Sequence, residues 1–272
     1  MSEYIDVFKR TEIKYYLTSE KYKMLRDFLS EYARVDDYGK TRINNIYFDT
    51  PDYRMIRTSF DKPVYKEKLR LRTYGETNDL TNAFIEIKKK YDGIVYKRRV
   101  AGPYRRAYDY LINGGRPLDD SQISREIEGL KQLYEEMIPA MTICYDRIAM
   151  IGSDDPTLRI TFDTNIRWDK ESTDLRRVNN GNIIVKDGDY LMEIKVTDAM
   201  PLFLARKLSE LEIFPVSFSK YGRAYMDMTG IYEMSGITEA NDASHGIAND
   251  GVRINTDINK DKNSEREVMA YA

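Results

Sequence analysis

Residues 66–74 read K-E-K-L-R-L-R-T-Y, and residues 83–90 read A-F-I-E-I-K-K-K. Side chains two apart in a strand share a face. Lys66, Lys68, Arg70 and Arg72 therefore point one way, and Leu69 and Leu71 the other. In the second run Glu86, Lys88 and Lys90 share a face, backed by Ile85 and Ile87. The same alternation recurs further out. Arg159, Thr161 and Asp163 oppose Leu158, Ile160 and Phe162, and Glu193 and Lys195 oppose Met192, Ile194 and Val196. Arg10, Glu12 and Lys14 repeat it near the N-terminus. One such strand reads as the solvated side of an antiparallel sheet. With Arg147 added, the charged faces together hold eleven bases and four acids, a net of +7 in a chain whose total is −2. A sheet that closes, or nearly closes, with its charged face inward and helices packed outside accounts for that excess.

The other segments fit this plan. Thr18 and Ser19 can cap a helix reaching about Ala33, with Tyr22, Leu25, Phe28, Leu29 and Tyr32 as its apolar stripe. Ile123, Ile127, Leu130 and Tyr134 predict a second helix over residues 121–137. A third follows Pro201, a residue suited to a first helical turn, and a short one runs over residues 217–228. Strands are predicted over residues 43–49, 66–74, 83–90, 94–100, 141–148, 158–163 and 190–196. The run Tyr91-Asp92-Gly93 reads as a hairpin turn. Hairpin-linked strands bounded by helices predict an antiparallel α+β fold. The folded unit is placed at residues 1–232, and the polar, aperiodic residues 236–272 read as a disordered tail.

Composition narrows the chemistry. The chain has 272 residues, 42% hydrophobic and 32% charged, which suits a soluble globular protein. Its 43 Lys and Arg nearly balance 45 Asp and Glu, so bulk charge does not announce a nucleic-acid binder. The strand faces also lack the interleaved aromatics of a single-strand platform, and no nucleic-acid partner is expected. Cys144 is the only cysteine and reads as a buried small hydrophobe, which excludes an intrachain disulfide. His245, the only histidine, falls in the tail, which leaves the folded part without a His base. A metal here must sit on oxygen ligands, favouring Mg²⁺, Mn²⁺ or Ca²⁺ over zinc. No apolar run approaches the roughly 20 residues that span a bilayer, and M-S-E-Y-I-D-V-F-K-R lacks a signal-peptide core. A cytoplasmic location is expected.

Cations confined in a lumen repel one another at reduced dielectric, so such a lumen calls for a polyanion. Arg and Lys supply multidentate contacts to phosphate oxygens. No G-x-x-x-x-G-K-[ST] loop is present, which leaves side-chain cations as the means of holding phosphate. A linear polyphosphate or a nucleoside triphosphate is the expected ligand.

Eight motifs in order carry a resemblance. They are R-x-E-x-K-Y (Arg10 to Tyr15), N-x-Y-F-D-T (Asn45 to Thr50), K-L-R-L-R-x-Y-G (Lys68 to Gly75) and E-I-K-K-K-Y-x-G-x-V-Y-K-R-R (Glu86 to Arg99). Then follow Y-D-R (Tyr145 to Arg147), R-I-T-F-D (Arg159 to Asp163), M-E-I-K (Met192 to Lys195) and F-S-K-Y (Phe218 to Tyr221). The sequence resembles the triphosphate tunnel metalloenzymes, and more closely their polyphosphate-polymerase branch, the VTC domain. The resemblance implies an antiparallel β-barrel tunnel that transfers the γ-phosphate of ATP to a growing polyphosphate chain, with Mn²⁺ or Mg²⁺ required. It implies that Arg70, Arg72, Lys88 and Lys220 act at the transferring phosphoryl group. Lys14, Lys68, Lys97, Tyr145, Arg147, Arg159, Lys195 and Ser219 would bind phosphate. Glu193 would be the main metal ligand, with Glu12 and Glu86 as further candidates. Hydrolytic relatives typically open E-x-E-x-K, whereas Arg10 stands at the first acidic position here; this favours the polymerase branch. A triphosphatase of the same fold and a non-catalytic polyphosphate-binding module are the alternatives. The resemblance also implies that any membrane association would run through a separate partner protein.

Overall fold

The structure, a computed structural model, describes residues 11–231 except 93, 179, 180 and 198. The readings made for Arg10, for His245 and for the tail lie outside the described residues. The strands are β1 (Thr11–Leu17), β2 (Ala33–Asp49), β3 (Tyr65–Tyr74), β4 (Asn82–Tyr91), β5 (Ile94–Pro103), β6 (Ile138–Gly152), β7 (Arg159–Asp169), β8 (Asn182–Ile183) and β9 (Tyr190–Val196). The helices are α1 (Ser19–Leu29), α2 (Arg54–Phe60), α3 (Tyr104–Ile112), α4 (Gln122–Tyr134), α5 (Leu202–Glu210) and α6 (Lys220–Thr229).

One antiparallel sheet runs in the order β1-β9-β7-β6-β2-β3-β4-β5, with β8 attached to β7. This is the α+β architecture that the alternating strands predict. The sheet is not closed by hydrogen bonds: β1 and β5 end the path, and no ladder joins them among the described residues. It is nonetheless strongly curled, because Lys88 Nζ on β4 lies 3.3 Å from Glu12 Oε2 on β1. Side chains bridge the gap that the backbone leaves.

Four helices cover the convex face. Leu25 and Leu29 of α1 and Leu204 and Leu208 of α5 bury the apolar sides of β1, β7 and β9, including Leu17, Ile160, Phe162 and Ile194. Tyr104 and Tyr110 of α3, with Ile127 and Leu130 of α4, bury Leu69, Leu71, Ile85 and Ile87. Thr18 caps α1 as read, its Oγ1 accepting from Lys21 N at 3.3 Å, and in α4 Ser121 Oγ accepts from Ser124 N at 3.2 Å. Helix α6 takes another place. Ser219 Oγ caps it by accepting from Gly222 N, and it ends at Gly230 with φ 70°, a left-handed value that glycine adopts without strain. Its Tyr221, Ala224 and Tyr225 pack with Tyr47, Ile143, Tyr145 and Trp168, on the charged side of the sheet.

The chain departs from the sequence reading most at β2, α2 and α3, and β7 also runs on to Asp169 rather than ending at Asp163. Strand β2 begins at Ala33, ten residues before the predicted start, and α1 stops at Leu29. The added half of β2 holds Asp36, Asp37, Tyr38 and Gly39 at a register shift against β6, which breaks the alternation a strand normally shows. Helices α2 and α3 were not predicted. Helix α2 is capped from a distance, Asp49 accepting from Met55 N at 2.8 Å and from Ile56 N at 3.0 Å. Helix α3 begins directly after Pro103 and has no side-chain cap.

Candidate functional site

Strand register assembles a charged inner face. Lys66 stands opposite Lys90, Lys68 opposite Lys88, and Lys88 opposite Lys97. Arg70 pairs across to Glu86, and Glu86 to Arg99. Like charges directly across a ladder destabilise a sheet, so three Lys–Lys rungs on one face need a reason. On the far side Arg147 faces Asp163, Thr161 faces Glu193, and Arg159 faces Lys195. Lys14 faces Glu193, and Glu12 faces Lys195.

Two buried carboxylates organise most of these cations. Glu86, 1% exposed, accepts from Arg70 Nε at 2.7 Å, lies 2.6 Å from Arg70 Nη2 and 3.7 Å from Arg72 Nε, and meets Lys97 Nζ at 2.8 Å. Burial alone would raise its carboxyl, but Arg70, Arg72 and Lys97 together hold it far below the usual range. Lys97 is pushed down to about 8, by burial first and by Arg70 and Arg72 second, against the pull of Glu86. The other carboxylate, Asp163, receives a bidentate pair from Arg147, Nε at 2.6 Å and Nη2 at 2.8 Å. Lys220 Nζ adds a third contact at 2.6 Å. Burial raises Asp163, and Lys220 and Arg147 outweigh that to bring it to about 2. Lys220 and Arg147 also lie over the Tyr145 ring, 4.5 and 5.3 Å from its centroid, as cation–π partners.

Lys14 and Lys68 differ from these. Among the described residues, neither has a carboxylate within ion-pair distance. Lys14 Nζ donates to Phe218 O at 2.7 Å, and Lys68 Nζ to Ser219 Oγ at 2.9 Å. Each largely buried ammonium thus has one neutral oxygen at the entrance of α6. Burial lowers Lys14, Glu193 opposing and Lys220 and Lys88 adding to it. Burial likewise lowers Lys68 to about 8, with Lys14, Lys66 and Lys88 adding. A charged group removed from water without a counter-ion is costly, and an anion between these two lysines would remove that cost.

Glu193 Oε1 lies 2.8 Å from Lys195 Nζ. Burial raises its carboxyl, while Lys195, Lys14 and Lys220 more than reverse this and keep it ionised. The register places Glu12 diagonally across from Glu193, on the same face. No cluster of three or more His, Cys, Asp or Glu occurs among the described residues. One or two carboxylates without His or Cys fit a hard divalent cation whose other ligands are water and substrate phosphates. Glu193 and Glu12 meet that description. Glu86, enclosed by three cations, is placed to balance their charge instead.

Most residues singled out in the sequence therefore converge on one face. Arg159 stands apart, its Nη2 3.8 Å from Asp36 Oδ2 on β2 at the edge of the face. Besides Asp163, four residues of the site had no role assigned from the sequence. Asn45 Oδ1 accepts from Arg72 Nε at 2.8 Å, and Tyr47 OH accepts from Arg70 Nη1 at 3.0 Å. Asp49 accepts from Tyr221 OH at 2.8 Å, and the Tyr221 ring stacks on Tyr47 with centroids 4.8 Å apart. For Asn45, Tyr47 and Asp49 the signal lay in N-x-Y-F-D-T, where the three share one strand parity, while Tyr221 closes F-S-K-Y.

A curled antiparallel sheet with a cation-crowded inner face has the charge to hold an anion. The chain belongs to the VTC domain family, which it matches over residues 9–229. Subunit 4 of the vacuolar transporter chaperone complex of Schizosaccharomyces pombe is 27% identical over 191 residues, a match that spans 62% of this chain and 26% of that relative. Among solved structures, a Bacillus halodurans protein proposed to be an adenylate cyclase is similar at a TM-score of 0.52 and 14% identity, covering 79% of this chain and 96% of that one. The likeness shows a shared fold. No described helix is long and apolar enough to cross a membrane.

Proposed function

We propose that the chain is a polyphosphate polymerase, transferring the γ-phosphate of ATP to a growing inorganic polyphosphate chain along the basic face. The observation that carries this reading is the pair of largely buried lysines, Lys14 and Lys68, each held by a single neutral oxygen. They are placed to take a chain of phosphates in line with Arg70, Arg72, Lys88 and Lys97. Membership of the VTC domain family supports a polyphosphate substrate.

In the reaction, an oxygen of the chain's terminal phosphate forms a bond to the γ-phosphorus. The bond from that phosphorus to the β-bridging oxygen breaks, and ADP leaves with the electron pair. The nucleophile is already anionic, so no general base is required. Phosphoryl transfer asks mainly for positioning and charge stabilisation. Arg70 and Arg72 grip the equatorial oxygens of the transferred group, their guanidinium planes fixed by Glu86, Tyr47, Asn45 and Tyr145. Lys88 neutralises charge beside them. Lys220, beside Tyr145 and Arg147, steadies acceptor or leaving oxygens at the α6 end. Lys14, Lys68, Lys97, Arg147, Arg159, Lys195 and Ser219 hold the rest of the chain. A Mn²⁺ or Mg²⁺ ion on Glu193 and Glu12 would supply neutralisation of phosphate oxygens.

Incubation of the purified protein with ATP and Mn²⁺, with products separated on a gel, tests the reading. Ladders of polyphosphate with ADP are expected. Orthophosphate without chains would assign a triphosphatase instead, and no turnover would assign a polyphosphate-binding module. A cytoplasmic setting, with a separate membrane protein as partner, belongs to the same proposal.

A further inference from the structure

Three cations, Arg70, Arg72 and Lys68, surround Tyr47, and all of them can only donate. Its oxygen accepts from Arg70 Nη1 at 3.0 Å, and the guanidinium carbon lies 5.8 Å from the ring centroid. Lys68 and Arg72 flank it from β3, and Tyr221 of α6 stacks on its other side. The acidic groups near it are spoken for: Glu86 is bound to Arg70, and Asp49 accepts from Tyr221 and from backbone amides. Tyr145, across the face, receives Arg72 Nη2 at 3.3 Å, and Lys220 lies over its ring. Arginine and ammonium groups only donate. Among the described residues, the Tyr47 hydroxyl hydrogen therefore has no acceptor.

Such a hydroxyl has two ways to reach a satisfied state. It can give its hydrogen to an anionic oxygen brought into the channel, or it can lose the proton to solvent. We infer that Tyr47 is an anion-responsive ligand of the channel, donating to the phosphate oxygen held by Arg70 and standing in for that oxygen as Arg70's acceptor when no phosphate is bound. The inference rests on the polyphosphate reading above and adds to it a residue and a proton. Electrostatics agree with the geometry. Burial would raise the phenol, but Arg70, Arg72 and Lys68 outweigh it and bring it to about 8. Tyr15, Tyr16, Tyr53, Tyr65, Tyr104, Tyr110, Tyr134, Tyr190 and Tyr221 are all shifted upward instead. A tyrosinate step near pH 8 that disappears in Tyr47→Phe is therefore assigned to Tyr47.

Phosphate arriving beside Arg70 restores the phenol, so binding above about pH 8 takes up a proton at Tyr47. Lys68 and Lys97 also titrate near there, and their proton uptake has no tyrosinate signature. The experiment follows tyrosinate ultraviolet absorbance during a pH titration of the full chain, with and without tripolyphosphate, in wild type and Tyr47→Phe. The phenylalanine keeps the ring stack on Tyr221. Wild type is expected to show a tyrosinate step near pH 8 that moves upward with tripolyphosphate and is missing from the variant. Affinity of the variant for tripolyphosphate at neutral pH is expected to fall about tenfold, one charge-assisted hydrogen bond being lost. No early step in wild type, or a step that survives in Tyr47→Phe, would overturn the inference. If wild type binds and the variant binds as tightly, the role of Tyr47 fails while the polyphosphate reading stands. If wild type does not bind tripolyphosphate, that reading fails first and Tyr47's role with it.

Discussion

Lys220 Nζ lies 2.6 Å from Asp163 Oδ2, tying the first turn of α6 to the middle of β7. Asp163 is 1% exposed and also accepts both guanidinium bonds of Arg147, so one carboxylate is shared by two cations and fixes the helix that carries Ser219 and Lys220. Asp163→Asn would leave those cations facing an uncharged amide. Breaking a buried charge pair by removing one partner costs about 3–5 kcal/mol, and a loss in that range is expected from urea denaturation at pH 7. The acid limb has a defined sign. A carboxylate with a folded pKa below its unfolded one adds stability above the unfolded value and loses it as pH falls toward the folded one. With Asp163 brought to about 2, that contribution is full above the ordinary carboxylate range and is lost as pH falls toward 2. Asp163→Asn is expected to flatten this part of the curve.

Lys68 predicts the reverse trade. Its ammonium is buried against Ser219 Oγ alone and lowered to about 8. A lysine with a folded pKa below its unfolded value destabilises the fold while protonated, and the penalty lifts as pH rises through about 8. Lys68→Met keeps the stem and removes the charge. The anion-free variant is expected to melt higher than wild type at pH 7 and to gain little from added tripolyphosphate, which should raise the wild-type melting temperature by linkage. A variant that melts lower, or gains as much from the ligand, would show that Lys68 is satisfied without an anion.

How far the sequence reaches can be judged from such pairs. Period-two alternation at Lys68, Arg70 and Arg72 identifies the inner face, because a strand side chain has only two directions to take. The same logic reaches Lys97 and Arg99 only through register, which places them opposite Lys88 and Glu86. It does not reach Lys220, whose charge arrives on a helix 57 residues from its partner in sequence. Nor could spacing show that Glu86 serves three cations while Lys14, among the described residues, has no carboxylate within ion-pair distance, since that depends on how far the sheet curls. Helix α2 escaped notice for a related reason: its amides are satisfied by Asp49, which reads as the end of a strand.

The proposed metal ligand Glu193 yields a third prediction. Glu193→Gln keeps the shape of the side chain and leaves Lys195, 2.8 Å away, without its counter-charge. Polymerisation with Mn²⁺ is expected to be abolished, with a melting temperature within a few degrees of wild type. Calorimetric titration of Mn²⁺ in the presence of tripolyphosphate should lose its signal in parallel. Unchanged Mn²⁺ binding in Glu193→Gln would move the metal to other ligands, and a collapsed melt would give Glu193 a structural role instead.

Asp49 and Tyr221 give the last. Asp49 is fully buried, with no cation within ion-pair distance among the described residues, and burial raises its carboxyl despite hydrogen bonds from Met55 N, Tyr221 OH, Thr50 N and Ile56 N. It therefore joins the start of α2 to α6, the helix that presents Ser219 and Lys220. Tyr221→Phe removes one bond to Asp49 and keeps the stack on Tyr47; a loss of about 1–2 kcal/mol is expected. Asp49→Asn exchanges an acceptor oxygen for a donor facing backbone N–H groups, with an expected loss of about 2–4 kcal/mol as more than one buried bond fails. Both variants act on phosphate only through the seating of α6, so affinity for tripolyphosphate should fall in the same order as stability. Asp49→Asn bound as tightly as wild type, with its stability loss intact, would separate the α2–α6 joint from the site.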